Sequence, residues 1–323
     1  MRFSVGVLSL LVTVGLGLEA SAGTVLDRVK SDGVVRCGSV ERPGLAQVSS
    51  EGKWVGLNVD ICRAISAAVL GTADHVEFHE YETPTQYDAV RNGNDDVFFL
   101  TGTEISQQNL AGRLLPGPTV FIETHAVMVP DSSAERHVAD LAGKTICFMI
   151  GSPVERSLSN YFDTLGKSWL RIGYSEDGEM ADAYHVQHCH AVAYELTTLV
   201  ALRDDPGVEN LENRILPEPL AVYPVIAATS TKDADWSAIV AWTVHTLVSA
   251  ERPERQWYAG GVGAMPVSAP ELGLDRDWQK RVVAAVGHYG DIYERNLGAP
   301  YKLPRGVNAN QIGGGLMLSP FLD

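Results

Sequence analysis

Several groups of residues in this chain have types and spacing that could do chemistry. The stretch Asp140 to Ser152 carries an apolar run, Thr145 to Ile150, that ends in Gly151-Ser152. A glycine there lets the backbone turn sharply, so Ser152 can present its hydroxyl and N–H at the carboxyl end of a buried strand. That end is where ligands bind in open α/β sheets. Arg42 lies in the loop Glu41-Arg42-Pro43-Gly44 after an earlier strand. From there its guanidinium can meet a ligand; the competing reading is a solvated arginine paired with Glu41. His185, His188 and His190 surround Cys189, and on a strand His188 and His190 would share a side. Their spacing fits no strict zinc pattern. There is no Gly-x-Ser-x-Gly nucleophile motif, no phosphate loop and no dinucleotide fingerprint, so neither cofactor nor metal is expected.

These residues are placed by alternating strands and helices. Val34 to Cys37 reads as a strand closed by Gly38, and a helix follows with Asn58 as its N-cap and Ile61, Ile65 and Val69 on one face. Val76 to His79 is a second strand, and Thr83 to Asn92 a helix with Tyr87 and Val90 inward. Asp96 to Leu100 is a third strand, followed by the turn Thr101-Gly102-Thr103-Glu104. Strand–helix–strand units of this length imply a parallel sheet. Pro116 to Pro118 interrupts the pattern, and Val120 to Val129 then reads as an extended crossing segment, with Leu220 to Ala228 as its return. Leu141 to Leu196 repeats the strand–helix logic. Trp236 to Leu247 and Trp278 to Tyr289 mark amphipathic helices, and the Gly- and Pro-rich tail from Leu303 packs as coil. The expected architecture is therefore α/β and two-lobed, with two parallel-type sheets joined by two crossing segments. One lobe comprises residues 23–121 and 225–323, the other residues 122–224. A cleft between hinged lobes is a favoured small-molecule site.

Length and composition agree. A chain of 323 residues with 45% hydrophobic content can bury two cores. Residues 1–22 read as a cleaved export signal: Arg2, the apolar run Phe3 to Leu18, and the cleavage site Ala20-Ser21-Ala22. A net charge of −15 makes nucleic acid a poor partner. In an exported chain Cys37, Cys62, Cys147 and Cys189 favour disulfides, and four cysteines allow three connectivities. Cys37–Cys62 with Cys147–Cys189 is preferred because each pair joins neighbouring elements of one lobe; four free buried thiols are the alternative.

The chain resembles the family 3 extracellular solute-binding proteins of polar amino-acid ABC transporters, and within them the general L-amino-acid-binding subgroup. The resemblance covers nearly all of the mature chain. It rests on Val34-Val35-Arg36-Cys37-Gly38, on Trp54 to Ile65, on Asp140 to Ser152, on Trp236 to Leu247, on Gly273 to Trp278, and on Val286-Gly287-His288-Tyr289-Gly290. Tyr293-Glu294-Arg295-Asn296 and Arg305-Gly306-Val307-Asn308 are specific to the subgroup. It implies a periplasmic-binding-protein fold of type II and a monomeric periplasmic receptor, not an enzyme. Such a receptor captures a small polar solute, an amino acid or an amine-like compound, and delivers it to an inner-membrane ABC permease. It touches no nucleic acid and does not insert into the membrane.

The same resemblance places site residues. The family's carboxylate-binding arginine falls at Gln108, and another arginine common in the subgroup falls at Leu100. The Gly-Thr-Thr turn that donates N–H groups to that carboxylate is Gly151-Ser152-Pro153 here, and Pro153 has no N–H. The acid that pairs with the ligand's ammonium falls at Glu195. Thr101, Thr103 and Glu104 lie where the family contacts ligand, and Tyr87 and Phe99 are placed either to stack on it or to pack the core. The usual α-carboxylate clamp is thus lost, so the expected ligand is atypical, unless Arg42 supplies the charge from another direction. The alternatives are a periplasmic accessory or sensor protein on the same body, and a dehydratase-type enzyme using Glu104 and Glu195.

Overall fold

A computed structural model of the chain describes residues 25–81, 88–107, 114–205, 212–252 and 271–320. The export segment, Tyr87 and Gln108 lie outside the described residues. In order, α1 (Val25–Asp32) leads to β1 (Val35–Ser39), the short strands β2 (Gln47–Val48) and β3 (Trp54–Val55), α2 (Leu57–Leu70) and β4 (Val76–Glu80). There follow α3 (Asp88–Asn92), β5 (Val97–Thr101), α4 (Gly102–Gln107), β6 (Leu114–Leu115) and the long strand β7 (Thr119–Pro130). Next come β8 (Thr145–Met149), α5 (Pro153–Thr164), β9 (Leu170–Tyr174), α6 (Asp177–His185), β10 (Ala191–Glu195) and α7 (Leu196–Arg203). The described chain continues with β11 (Asn213–Ile215), β12 (Ala221–Ser230), α8 (Ala234–Ala250), α9 (Trp278–Val286) and α10 (Tyr289–Tyr293).

The main sheet runs β4-β1-β5-β12-β7-β10-β8-β9. Its ends are parallel tracts, β4-β1-β5 and β10-β8-β9, and the antiparallel strands β12 and β7 join them. The two expected parallel sheets are therefore continuous through their crossing strands. Both tracts have the same order, with the first strand in the middle, the second outside and the third inside. Each accordingly has a topological switch point, between β1 and β5 and between β8 and β10. In open α/β sheets the carboxyl ends of strands at such points are where ligands bind.

Burial explains the tracts. Val97 to Thr101 is buried throughout, as a central parallel strand requires. One core packs Val35, Ile61, Ile65, Phe99, Trp236 and Trp278 between the first tract and α2, α8 and α9. A second gathers Ile146, Phe148, Leu158 and Phe162 under α5, and a third Met128, Met180, Tyr184 and Leu199 under α6 and α7. The disulfides are Cys37–Cys62 and Cys147–Cys189, with Cα separations of 6.3 Å and 5.7 Å. Each pins a sheet strand to a neighbouring segment of its own half. From Leu303 the tail is coil with single 3₁₀ turns. The Asn308 amide bonds both backbone groups of Ile122 (2.7 and 3.0 Å), standing in for a strand neighbour beside β7.

Three local expectations change. The helix after Trp54 starts at Leu57, and its N-cap is Gly56 rather than Asn58, which is buried in the first turn. Gly56 has φ +133°, and a Cβ there would lie 2.2 Å from the Leu45 carbonyl oxygen, so close backbone approach sets the boundary. Thr101 to Glu104 is not an isolated turn but the start of α4. His188 and His190 lie in the turn before β10, not on the strand. Among the described residues no group of three or more His, Cys, Asp or Glu could hold a metal ion, and no helix is long and apolar enough to cross a membrane.

Candidate functional site

The loop after β1 folds back on itself through Arg42 N–H to Ala46 O (2.8 Å) and Ala46 N–H to Arg42 O (2.9 Å). Gly44 sustains this turn at φ +72°, pressed against Leu297. The Arg42 backbone is thereby fixed, and its side chain, 14% exposed, runs to the carboxylate of Glu104, 8% exposed, at 3.0 Å. Glu104 is held in turn by the strand before it. Its Oε2 accepts from the Thr101 N–H (2.5 Å) and the Thr101 hydroxyl (3.0 Å), while the Glu104 N–H donates to Thr101 Oγ1 (3.3 Å). This reciprocal pairing is a capping box at the start of α4. Thr103 Oγ1 bonds Thr101 Oγ1 at 2.7 Å. Both oxygens of Glu104 are therefore occupied.

Two further carboxylates act on the guanidinium through their charge. Glu123 on β7 is 1% exposed and accepts from the Thr124 N–H (2.9 Å) and the Thr197 hydroxyl (2.6 Å). Burial raises its pKa, against the hydrogen bonds and the Arg42 charge. Glu195 closes β10, in register with His125 on β7. Burial pushes the Glu195 carboxyl up to about 7; Arg42 opposes the rise, and Glu123 and Glu104 add to it. Among the described residues nothing but its own backbone N–H donates to this carboxylate. Burial works against the charge on Arg42, but Glu104, Glu195 and Glu123 outweigh it and keep the guanidinium protonated. His125 is 2% exposed, bonds Ser157 Oγ at 2.9 Å and packs on Tyr223. Burial, with Arg42 adding to it, lowers its pKa to about 4, so the ring is neutral near pH 7. Glu104 thus pairs with Arg42 directly, while Glu195 and Glu123 act on the guanidinium through their charge.

The Gly151-Ser152-Pro153 turn is occupied from within. Gly151, at φ +73°, donates its N–H to Glu155 Oε2 (2.7 Å), and the Ser152 N–H bonds Met149 O (3.3 Å). Ser152 caps α5 through its hydroxyl, which accepts from the Glu155 N–H (3.3 Å), and Pro153 fills the first helical position. The other Glu155 oxygen pairs with Arg171, which also bonds Ser159 (3.0 Å). Ser152 makes no bond to the Arg42 cluster; its helix reaches the cluster only through Ser157 and His125.

Of the residues anticipated from sequence, Arg42, Thr101, Thr103, Glu104 and Glu195 come together, and Ser152 lies apart from them. Phe99 is fully buried and stacks on Phe78, so it packs the core and offers no face to a ligand. Phe99 belongs to the core that holds Ile61 and Ile65 of α2, whereas Phe98 and Leu100 face the other side of β5. Glu123, His125, Thr197, Glu155 and Arg171 were not anticipated. Glu123 and His125 stand two apart as the two ionisable residues of β7, so they share one face; that spacing was a usable signal, as was the Thr-x-x-Glu of the capping box.

No protein-family model matches the chain. It is 28% identical to the general L-amino acid-binding periplasmic protein AapJ of Rhizobium johnstonii, over 95% of either chain. It is also 28% identical to the glutamate/glutamine/aspartate/asparagine-binding protein BztA of Rhodobacter capsulatus, over 93% of this chain and 94% of that one. Among solved structures, an ABC transporter/periplasmic binding protein from Brucella ovis with glutathione bound superposes with a TM-score of 0.80. It is 26% identical, covering 93% of this chain and all of that one. Over most of its length, then, the homologues of this chain are the periplasmic amino-acid-binding components of ABC transporters, and its fold is that of the two-lobed periplasmic binding proteins.

Proposed function

We propose that the chain is the periplasmic receptor of an ABC importer, exported through residues 1–22. It takes a small amine-bearing solute, an amino acid or a relative of one, into the crevice between a lobe of residues 23–121 with 225–323 and a lobe of residues 122–224. It acts as a monomer, hands the solute to an inner-membrane permease and catalyses nothing. It binds no nucleic acid and does not enter the membrane. The solute is lined by Arg42, Thr101, Thr103, Glu104, Ser152 and Glu195, with Tyr87 and Gln108 completing the site.

The observation that carries this reading is Glu195. A carboxylate to which no side chain among the described residues donates, at the carboxyl end of β10 and in the field of Arg42 from the other tract, suits a ligand ammonium. A ligand held by both lobes stabilises their closed arrangement, because it binds that arrangement preferentially. Transport is favoured over an accessory or sensor role because a relative 27% identical over 96% of this chain is the putative amino-acid ABC transporter-binding protein YhdW of Escherichia coli. The dehydratase reading lacks its acid–base pair, since Thr101 and Arg42 already occupy both Glu104 oxygens. The test is a thermal-shift screen of the purified mature protein over amino acids, amines and γ-glutamyl peptides. Uptake of each hit is then measured in cells lacking the gene. A solute at 100-fold excess over its Kd adds about 2.7 kcal/mol of stability. Matching loss of uptake supports the proposal; no shift with any solute and unchanged uptake refute it.

A further inference from the structure

We infer that residues 289–308 form a strap that fixes the angle between the two halves of the sheet. The halves are then held by three connections rather than by the crossing strands alone. This rests on the receptor reading above, in which the halves are the lobes that meet at the solute.

The crossing is irregular at one place. β7 and β12 lose register between Val225 and Ile226: Phe121 stands opposite Val225 and Thr119 opposite Ile226, which leaves Val120 without a partner across the ladder. A bulge of this kind bends its strand and interrupts the pairing, and hinge motion is absorbed by a few such residues. The strap binds at that place. The Tyr289 hydroxyl donates to the Val120 carbonyl (2.9 Å). The Asn308 amide accepts from the Ile122 N–H (2.7 Å) and donates to the Ile122 carbonyl (3.0 Å). Asn308 is itself held by Arg305, which donates to its carbonyl (3.0 Å) and accepts from its N–H through the Arg305 carbonyl (2.7 Å). The Arg305 guanidinium pairs with Glu251 and lies over the rings of Tyr289 and Tyr293, at 5.5 and 5.6 Å.

Between these points the strap touches both halves. Leu297 packs on Gly44 of the Arg42 loop, where a Cβ would come within 2.4 Å of it, and the Tyr301 hydroxyl donates to Gln47 Oε1 (3.3 Å). On the other side the Tyr301 carbonyl accepts from Arg203 (2.6 Å) of α7, the helix that follows β10 of the second tract. Val200 of the same helix is buried in the core that holds Tyr293 and Leu297. Rotating one half against the other about β7 and β12 moves Arg203 relative to Gln47 and Ile122, so these bonds cannot all survive it. The strap therefore favours the arrangement in which all of them are made, and it does so before any solute binds.

The test is pulsed double electron–electron resonance on the mature protein without solute. Spin labels are carried by Glu51→Cys, in the exposed turn between β2 and β3, and Leu165→Cys, exposed after α5. The native cysteines are paired in disulfides and leave the added ones to react. With the strap intact one narrow distance distribution is expected. Asn308→Leu removes both bonds to Ile122, and Arg203→Met removes the bond to Tyr301; each should broaden the distribution or shift its mean. Asn308→Leu should also lower the hydrogen-exchange protection of the Ile122 amide by about tenfold. Tyr184→Phe, which deletes a 2.6 Å bond to Asn213 between α6 and β11, controls for general loosening and should leave the distribution unchanged. A broad distribution with the strap intact, an unchanged one in both strap variants, or equal broadening in the control overturns the inference. Should Asn308→Leu not fold, Arg203→Met decides alone. No solute is involved, so each of these failures leaves the receptor reading standing; that reading falls only if the thermal-shift and uptake screen fails.

Discussion

Replacing Glu104 with glutamine should have two separable consequences. Glutamine keeps the volume and a carbonyl that can accept from the Thr101 N–H, so the start of α4 survives. What disappears is the charge opposite Arg42, at a pair only 14% and 8% exposed. Removing one partner of a buried ion pair costs about 3–5 kcal/mol, since the other charge stays desolvated. Arg42 retains the fields of Glu195 and Glu123, which places the expected loss near the lower limit, about 3 kcal/mol. For a chain of this size that is a fall in Tm of roughly 6–10 °C, read by differential scanning calorimetry. The second consequence is a gain. The freed Nη2 of Arg42 becomes available to an anion, and a charge-assisted hydrogen bond to a ligand carboxylate contributes about 1.5–3 kcal/mol. Affinity for L-amino acids should therefore rise about tenfold or more. A Tm change below about 1 °C, with no gain for any amino acid, would refute the view that Glu104 both stabilises Arg42 and denies it to ligands.

Other perturbations bear on neighbouring parts of the site. The folded state holds the Glu195 proton up to about pH 7, whereas the unfolded chain releases it at its ordinary value of 4.5. Its contribution to stability is accordingly complete below about pH 4.5 and lost as pH rises through 7, by about 3 kcal/mol. Arg42, Glu104, Glu123, His125 and Tyr194 surround this group, and Asp96 and His125 have pH slopes of their own. The comparison is therefore the difference between wild type and Glu195→Gln in urea titrations from pH 4 to 8, which should grow in favour of the variant with pH. Glu155→Gln should release Arg171 and weaken the hold on the Gly151 N–H, costing less than about 1 kcal/mol because the pair is partly exposed. It should also permit weak acetate binding, visible as a chemical-shift change at the Gly151 amide. Removing the Cys147–Cys189 disulfide, which spans 42 residues, should cost about 3–4 kcal/mol from the loop-closure entropy of the unfolded chain. Equal urea midpoints with and without reductant would contradict that.

Much of the fold was legible because its signals are local. The buried runs Val97 to Thr101 and Thr145 to Met149 announce central strands, and glycine turns mark their ends. The spacing of Trp236, Ile239, Val240 and Leu247 announces α8, which is buried at those positions. The disulfide pairs followed from strand and helix neighbours. The continuity of the sheet through β7 and β12 was less visible, since pairing between distant strands leaves no periodic trace. At the site, Arg42 and Glu104 could be placed in loops at strand ends, but not their bond across 62 positions. Glu155 was hidden for a different reason: as the third residue of a helix it looks like an ordinary acid favouring the dipole. Only the turn geometry brings its carboxylate onto the Gly151 N–H. Phe99 illustrates the converse, because alternate residues on a strand covered on both faces are equally apolar and pattern alone cannot say which faces a cleft.

The account stands most directly on a crystal structure of the protein grown with the solute it binds best. It predicts the ligand's ammonium or guanidinium within hydrogen-bond distance of the Glu195 carboxylate, Arg42 still on Glu104, and Glu155 still on the Gly151 N–H. A ligand whose cationic group lies away from Glu195, with nothing of the ligand bonded to that carboxylate, would contradict it.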